Sequence, residues 1–271
     1  MMDGLLLDMV LSYRRQVAVP SLSSMPSLEN VDHQLLDSRT EPRTLIEAAY
    51  RRMRRDIVEG RLEAGKRLRV EHLKSIYQVS SGTLREAMAL LVADALVQPE
   101  FQHGFNVSPV SLADLEDLTR MRMLLECEAL RESIAAGKDD WEAGVVSAFH
   151  KLSLAEQRLR ADPAAAFEAW ETANSMFHEA LVAACGSRRL RRMRRVLYQQ
   201  AERYRRLSAV QAPSADDVHD EHTGIYEAVM RRDAGRAAEL LTVHIKRSLL
   251  VIQQTGLLQM SIPQPVGAAE H

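Results

Sequence analysis

Residues 78–97 read QVSSGTLREAMALLVADALV, and this stretch decides the fold. It opens with small polar residues, Ser80, Ser81, Gly82 and Thr83, and an arginine, Arg85. It then closes on an apolar run with Leu84, Met88 and Leu91 on one helical face. Ser80 or Ser81 serves as N-cap. A helix with an exposed, polar first turn and a packed rear face suits insertion into a groove.

The surroundings say which groove. Upstream, Ile46, Ala49, Met53 and Ile57 recur at helical spacing, and Gly60 supplies a stop. EAGKRL forms a turn around Gly65, and a short helix follows through Leu73 and Ile76. Downstream, ALVQPEFQHGFNVSPV has β-prone residues on both sides of Gly104, the signal of a hairpin. Three short helices and a hairpin outline a winged helix-turn-helix. In that motif the second helix of the pair presents its N-terminal residues to base edges in the major groove. Small residues allow close approach, and Arg85 can offer two donors to guanine O6 and N7. His103 and Gly104, at the hairpin tip, are placed against the adjacent minor groove.

Composition bounds this reading. The chain has 271 residues, room for two domains, with 46% apolar and 27% charged residues, a globular balance. Its formal charge of −2 gives no global basic signature. Phosphate contacts must therefore come from particular residues such as Arg43, Arg51, Arg69 and Lys74. Two cysteines, Cys127 and Cys185, are too few for a disulfide framework and fit a reducing, cytoplasmic compartment. The run GLLLDMVL near the start is too short to span a bilayer and lacks a basic region before it, so neither signal peptide nor membrane anchor is expected.

Four segments follow: a disordered leader over 1–40, the winged helix-turn-helix over 41–109, an all-helical domain over 111–255, and a flexible tail over 256–271. The fold class is mainly α. Within the third segment six helices are predicted, near 111–136, 140–160, 163–184, 187–208, 216–231 and 234–254. Ser111 with Asp114, Asp162 before Pro163, and Ser214 with Asp217 mark helix starts. Short connections make neighbouring helices antiparallel, hence a bundle.

Several helical stripes that ought to be apolar carry polar residues. Arg122 falls among Leu115, Leu118, Leu125 and Ala129; Asn174 and His178 fall among Phe167, Trp170, Phe177 and Leu181. His222 accompanies Val218, Ile225 and Val229, and His244 accompanies Leu241 and Ile245. A buried polar group without a partner costs about 1–3 kcal/mol, so these groups are expected to meet one another. Asn174, His178, His222 and His244 supply one oxygen and three imidazoles, a set suited to zinc, nickel or a related divalent metal. From Arg188 to Arg206 there are nine arginines. They read as a solvated helix face, with Leu190, Met193, Leu197, Gln200 and Tyr204 inward, or alternatively as a second phosphate-binding surface.

In its N-terminal third the chain resembles the GntR family of bacterial transcription regulators. The resemblance rests on the first helix, EAGKRL, VSSGTLREAM, ADALV and HGFNV, in that order. That family usually has arginine after the VS pair and often proline two residues later. Here Ser81 and Thr83 stand there, so one of two expected arginine base contacts is missing. NSMFHEAL, DEHTGIYEAV and AELLTVHI are similar to the metal-ligand pattern of the FadR-type C-terminal (FCD) domain, with Asn174 where many members have Asp. The resemblance implies a pocket for a small organic or sugar acid whose carboxylate completes the metal sphere. It makes Arg122 the partner of that carboxylate; an internal pair with Glu126, one turn away, is the other partner open to it.

The expected protein is therefore not an enzyme but a ligand-responsive DNA-binding regulator, a repressor, acting as a homodimer on a palindromic double-stranded operator. The alternative is a metal-dependent hydrolase built on the three histidines, with Glu221 beside His222 as its general base.

Overall fold

A computed structural model describes residues 41–100, 104–211 and 215–258. The expected leader, His103 and Ser214 lie outside them. A winged head leads, with α1 (Leu45–Val58), β1 (Arg67–Leu68), α2 (Val70–Tyr77), α3 (Ser81–Ala93), β2 (Val97–Glu100) and β3 (Gly104–Val107). Thr44 caps α1 through its hydroxyl, which accepts from the Glu47 amide. The turn between α2 and α3 is made at Gln78, whose φ of 56° reverses the chain. Ser80 then caps α3 by accepting from the Thr83 amide at 3.1 Å. On the rear of α3, Leu84, Ala87, Met88 and Leu91 are wholly buried against Ala49, Tyr50, Met53 and Ile57 of α1. The wing is antiparallel, with Val97 opposite Val107 and Glu100 opposite Gly104. A short strand not foreseen in the sequence, β1, adds to its other edge, pairing Leu68 with Phe105. Pro99 sits in the edge strand β2, where a missing amide donor costs no ladder bond.

The helical domain follows as α4 (Leu112–Ala136), α5 (Asp139–Ala161), α6 (Pro163–Leu181), α7 (Arg188–Gln200), α8 (Glu202–Gln211), α9 (Ala215–Met230) and α10 (Ala234–Thr255). The expected caps hold: Ser111 accepts from the Asp114 amide and Asp162 from the Ala165 amide, with Pro163 at the first turn. Helix α5 packs on α6 and α9, α4 on α10 and α7, and α9 on α10. Their shared core includes Leu130, Val145, Leu152, Phe177, Ile225, Val229, Leu241 and Ile245. A second cluster, Leu115, Leu118, Ala201, Tyr204, Ile252 and Leu258, closes one end. Gly256, with φ 66°, ends α10, and Leu258 is buried, so the start of the expected tail is packed.

One expected helix, 187–208, is two. The chain interrupts at Ala201, and the halves serve different neighbours. Helix α7 lies on α4, whereas α8 lies on α10 and reaches α1 of the head.

The expectation for the arginine run needs correction. Met193 is exposed, while Arg194, Tyr198 and Arg205 are buried. Leu190 and Leu197 pack against the cores and Tyr204 is buried, as expected. Arg194, Tyr198, Ala201 and Arg205 also face inward, because acidic residues on α4 and α6 receive these cations. Arg194 meets Glu126 and Glu179, and Arg205 meets both oxygens of Glu171.

Candidate metal and effector centre, and candidate DNA interface

Helices α6, α9 and α10 bring His178, His222 and His244 together, each ring offering an atom within 4.8 Å of the others'. The ring centroids of His178 and His244 are 5.1 Å apart, and those of His222 and His244 are 4.6 Å apart. Asn174, one turn before His178, is also buried. Its Nδ2 donates to the Tyr198 hydroxyl at 3.0 Å, which leaves Oδ1 without a partner.

Two carboxylates orient the rings. Glu156 of α5 lies 2.6 Å from His222 Nδ1 and, with its other oxygen, 2.6 Å from His219 Nδ1. Glu221 lies 2.9 Å from His244 Nδ1 and accepts from Arg247 at 2.6 Å. The Nε2 atoms of His222 and His178 are buried and, among the described residues, have no hydrogen-bond partner. A carboxylate on one imidazole nitrogen fixes the tautomer and turns the other nitrogen into an available ligand. Three orphaned acceptors on adjacent helices, Asn174 Oδ1, His178 Nε2 and His222 Nε2, fit a divalent cation of the nitrogen-and-oxygen-binding kind.

Electrostatics favour the neutral form of His178 and His244. Burial, followed by the neighbouring His244 and His222, holds His178 well below the usual histidine range. Burial and His222 bring His244 down to about 4. Burial opposes ionisation of Glu156, yet its bonds to His222 and His219 outweigh that and lower its pKa.

Arg122 is buried beside this centre, its guanidinium 5.3 Å from the Tyr198 ring. Its Nε donates to Glu126 at 2.7 Å, so of the two partners open to it the internal one is formed here. Sequence reasoning missed Glu156, Tyr198 and Arg194. Glu156 did carry a signal, an acid on the apolar stripe Val145–Leu152–Ala155 of α5. Glu221, weighed as a general base, is instead committed to His244 and Arg247.

At the other end of the molecule, α3 turns its first residues outward. Arg85 is exposed, Ser81 and Thr83 are half-buried, and Gly82 is exposed. The Ser80 hydroxyl is engaged in its own cap and lies 2.9 Å from Thr83 Oγ1. Arg43 and Arg69 are exposed on the same head. Arg51 is half-buried and paired with Glu47 on its own helix, and Lys74 lies 3.4 Å from Glu71. Gly104 has φ 97° at the wing, a conformation that L side chains rarely adopt.

Comparison with known proteins matches a family model to each of the two domains. Residues 45–107 match the description "Bacterial regulatory proteins, gntR family", and residues 117–247 match the FCD domain. The chain is 52% identical to the HTH-type transcriptional regulator BphR of Paraburkholderia xenovorans, over 80% of this chain and 89% of that one. It is 36% identical to the HTH-type transcriptional repressor GlaR of Escherichia coli, over 76% of this chain and 94% of that one. Among solved structures, E. coli McbR/YncC shares the fold with a TM-score of 0.64 at 18% identity, covering 79% of this chain and 99% of that one. A GntR regulator from Rhodococcus does so at 0.61 and 23% identity, covering 77% and 97%.

The chain thus belongs to the GntR family of bacterial regulatory proteins and carries an FCD domain behind its winged helix-turn-helix. It is a transcriptional regulator and not an enzyme; nothing in the comparisons supports a hydrolase. No helix among the described residues is long and apolar enough to cross a membrane.

Proposed function

We propose that this regulator is a cytoplasmic homodimeric repressor whose helical domain, 111–255, senses a small carboxylate through a divalent metal and thereby controls the grip of its head, 41–109, on a palindromic operator. The observation that carries this reading is the set of three buried, unpartnered acceptors, Asn174 Oδ1, His178 Nε2 and His222 Nε2, beside His244. Leaving such atoms unpaired costs about 1–3 kcal/mol each, a cost that ligation removes. Zinc or nickel suits the donors. When bound, the metal supplies a localised positive charge able to hold a carboxylate oxygen.

The chain's own residues do the rest. Glu156 and Glu221 hold the imidazoles of His222 and His244 in register. Burial keeps His178 and His244 neutral and therefore able to ligate at neutral pH. Arg122, across the Tyr198 ring, provides a planar fork for the acid, with Glu126 as its partner when no acid is present. In the head, Ser80, Ser81 and Thr83 admit α3 to the major groove. Arg85 reads guanine, Arg43 and Arg69 contact phosphates, and His103 and Gly104 of the wing approach the minor groove.

The test is elemental analysis of protein purified without chelator, beside the variant with His178, His222 and His244 all changed to alanine. Stoichiometric metal is expected in the first and little in the second, with operator release by acid lost in the second. Absence of metal even after reconstitution, together with an intact acid response in the triple variant, overturns the metal reading.

A further inference from the structure

The bundle interior contains a cation with one edge that makes no hydrogen bond among the described residues. Arg194 is fully buried, at 0% exposure. Its Nη1 donates to Glu179 at 2.6 Å. Its Nε and Nη2 have no hydrogen-bond partner among the described residues, and Glu126 Oε2, 3.7 Å from Nε, is beyond hydrogen-bond reach. These two N–H groups lie on one side of the guanidinium and point the same way. That is the edge which receives both oxygens of a carboxylate.

Arg205, about three turns further along on α8, shows the same edge in its satisfied form, with Nε and Nη2 on the two oxygens of Glu171. Glu126 and Glu179 do not fill the corresponding role for Arg194. Glu126 is shared with Arg122, and Glu179 with Arg195. The empty edge also lies near the histidine centre. The Arg194 guanidinium is 5.1 Å from the centroid of the Tyr198 ring, and the His178 ring is 5.4 Å from the same ring. Asn174 is bonded to that tyrosine's hydroxyl.

We infer that the free edge of Arg194 is a second acid subsite, so that the effector is a small molecule with two anionic groups, one held at the histidine centre and one on Arg194. This rests on the acid-binding reading above and narrows it. A monoacid satisfies the centre but leaves the two N–H donors bare. A di-acid of the right length satisfies both.

The test is calorimetric titration of the full-length, zinc-loaded protein with short straight-chain dicarboxylates, each against the monocarboxylate of equal length. A fork of two charge-assisted hydrogen bonds predicts that at least one di-acid binds about tenfold or more tightly than its matched monoacid. Arg194→Lys keeps the charge facing Glu179 but removes the fork. In it the di-acid's advantage should fall to about threefold or less, with zinc content and monoacid affinity unchanged. Equal affinity for matched acids in the unaltered protein overturns the second subsite without touching the first. So does an undiminished di-acid advantage in Arg194→Lys. Failure of every acid to bind overturns the acid-effector reading as well.

Discussion

Arg54 of α1 and Glu202 of α8 are joined at 2.5 Å, an ion pair that ties the winged head to the helical domain. Both side chains are largely withdrawn from water. Beside them, Tyr50 donates to Asp94 at 2.5 Å inside the head. On the bundle side, Arg205 also attracts Glu202. Removing the carboxylate by Glu202→Gln should lower stability by about 1–3 kcal/mol, read by urea unfolding at neutral pH. The pH dependence has a definite sign. Burial opposes ionisation of Glu202, but Arg54 outweighs it and its pKa is lowered. The stabilisation is therefore fully present above the unfolded value, about 4.3, and is lost as pH falls through the folded one. The gap between the two proteins should close on acidification; a gap that persists in acid contradicts the assignment.

Glu156 anchors His222 and His219 together. Glu156→Gln should weaken zinc affinity by about 10- to 100-fold, measured by competition with a chromophoric chelator. An unchanged affinity would mean that the orientation of His222 is set by packing alone.

Asn174 offers a neutral oxygen where a carboxylate would offer charge. Asn174→Asp should tighten metal binding, because ligand charge is a main determinant of affinity for a divalent ion. The Tyr198 hydroxyl can donate to the new carboxylate in place of accepting from Nδ2. The same competition assay reads the change, and weaker binding would argue against Asn174 as a ligand.

Much of this was legible before any coordinates. The winged head follows from caps and periodicity, since Ser80, Gly65 and the apolar rear of α3 are local signals. The histidine centre was legible because each His interrupts an apolar stripe. What was not legible depended on partners far away in sequence. The face of α7 could not be read from its own residues, because leucine and methionine rank as inward over arginine until Glu126 and Glu179 arrive from other helices. Glu156 looked like one acid among many until α9 set two histidines against it. The strand β1 is only two residues long, too short for alternation to reveal.

Arg85 is exposed one turn into α3. Arg85→Ala should cost about 1–3 kcal/mol in discrimination between operator and random DNA, leaving the fold and metal content unchanged. Fluorescence anisotropy against both DNAs decides it; undiminished discrimination would remove α3 from the major groove.

Gly104 holds φ 97° beside open space. Gly104→Ala meets no steric neighbour among the described residues, yet its backbone is strained by about 1–3 kcal/mol. The wing should deform and operator affinity fall, with acid binding in the bundle preserved. Unaltered affinity would mean that the wing tip does not touch DNA.

The interruption at Ala201 shortens the distance any message must cover. Tyr198, whose hydroxyl accepts from Asn174, and Glu202, which is paired with Arg54 of the head, are one helical turn apart, about 6 Å of rise, with the joint between them. Arg205 of α8 also reaches back across that joint, donating to the Tyr198 carbonyl at 3.0 Å with its guanidinium over the ring, so a displacement of either residue is felt by the other. The histidine cluster and the head contact thus share a single knuckle of backbone, so under the proposed function a small angular change there would be magnified by the full reach of the head to the tip of α3.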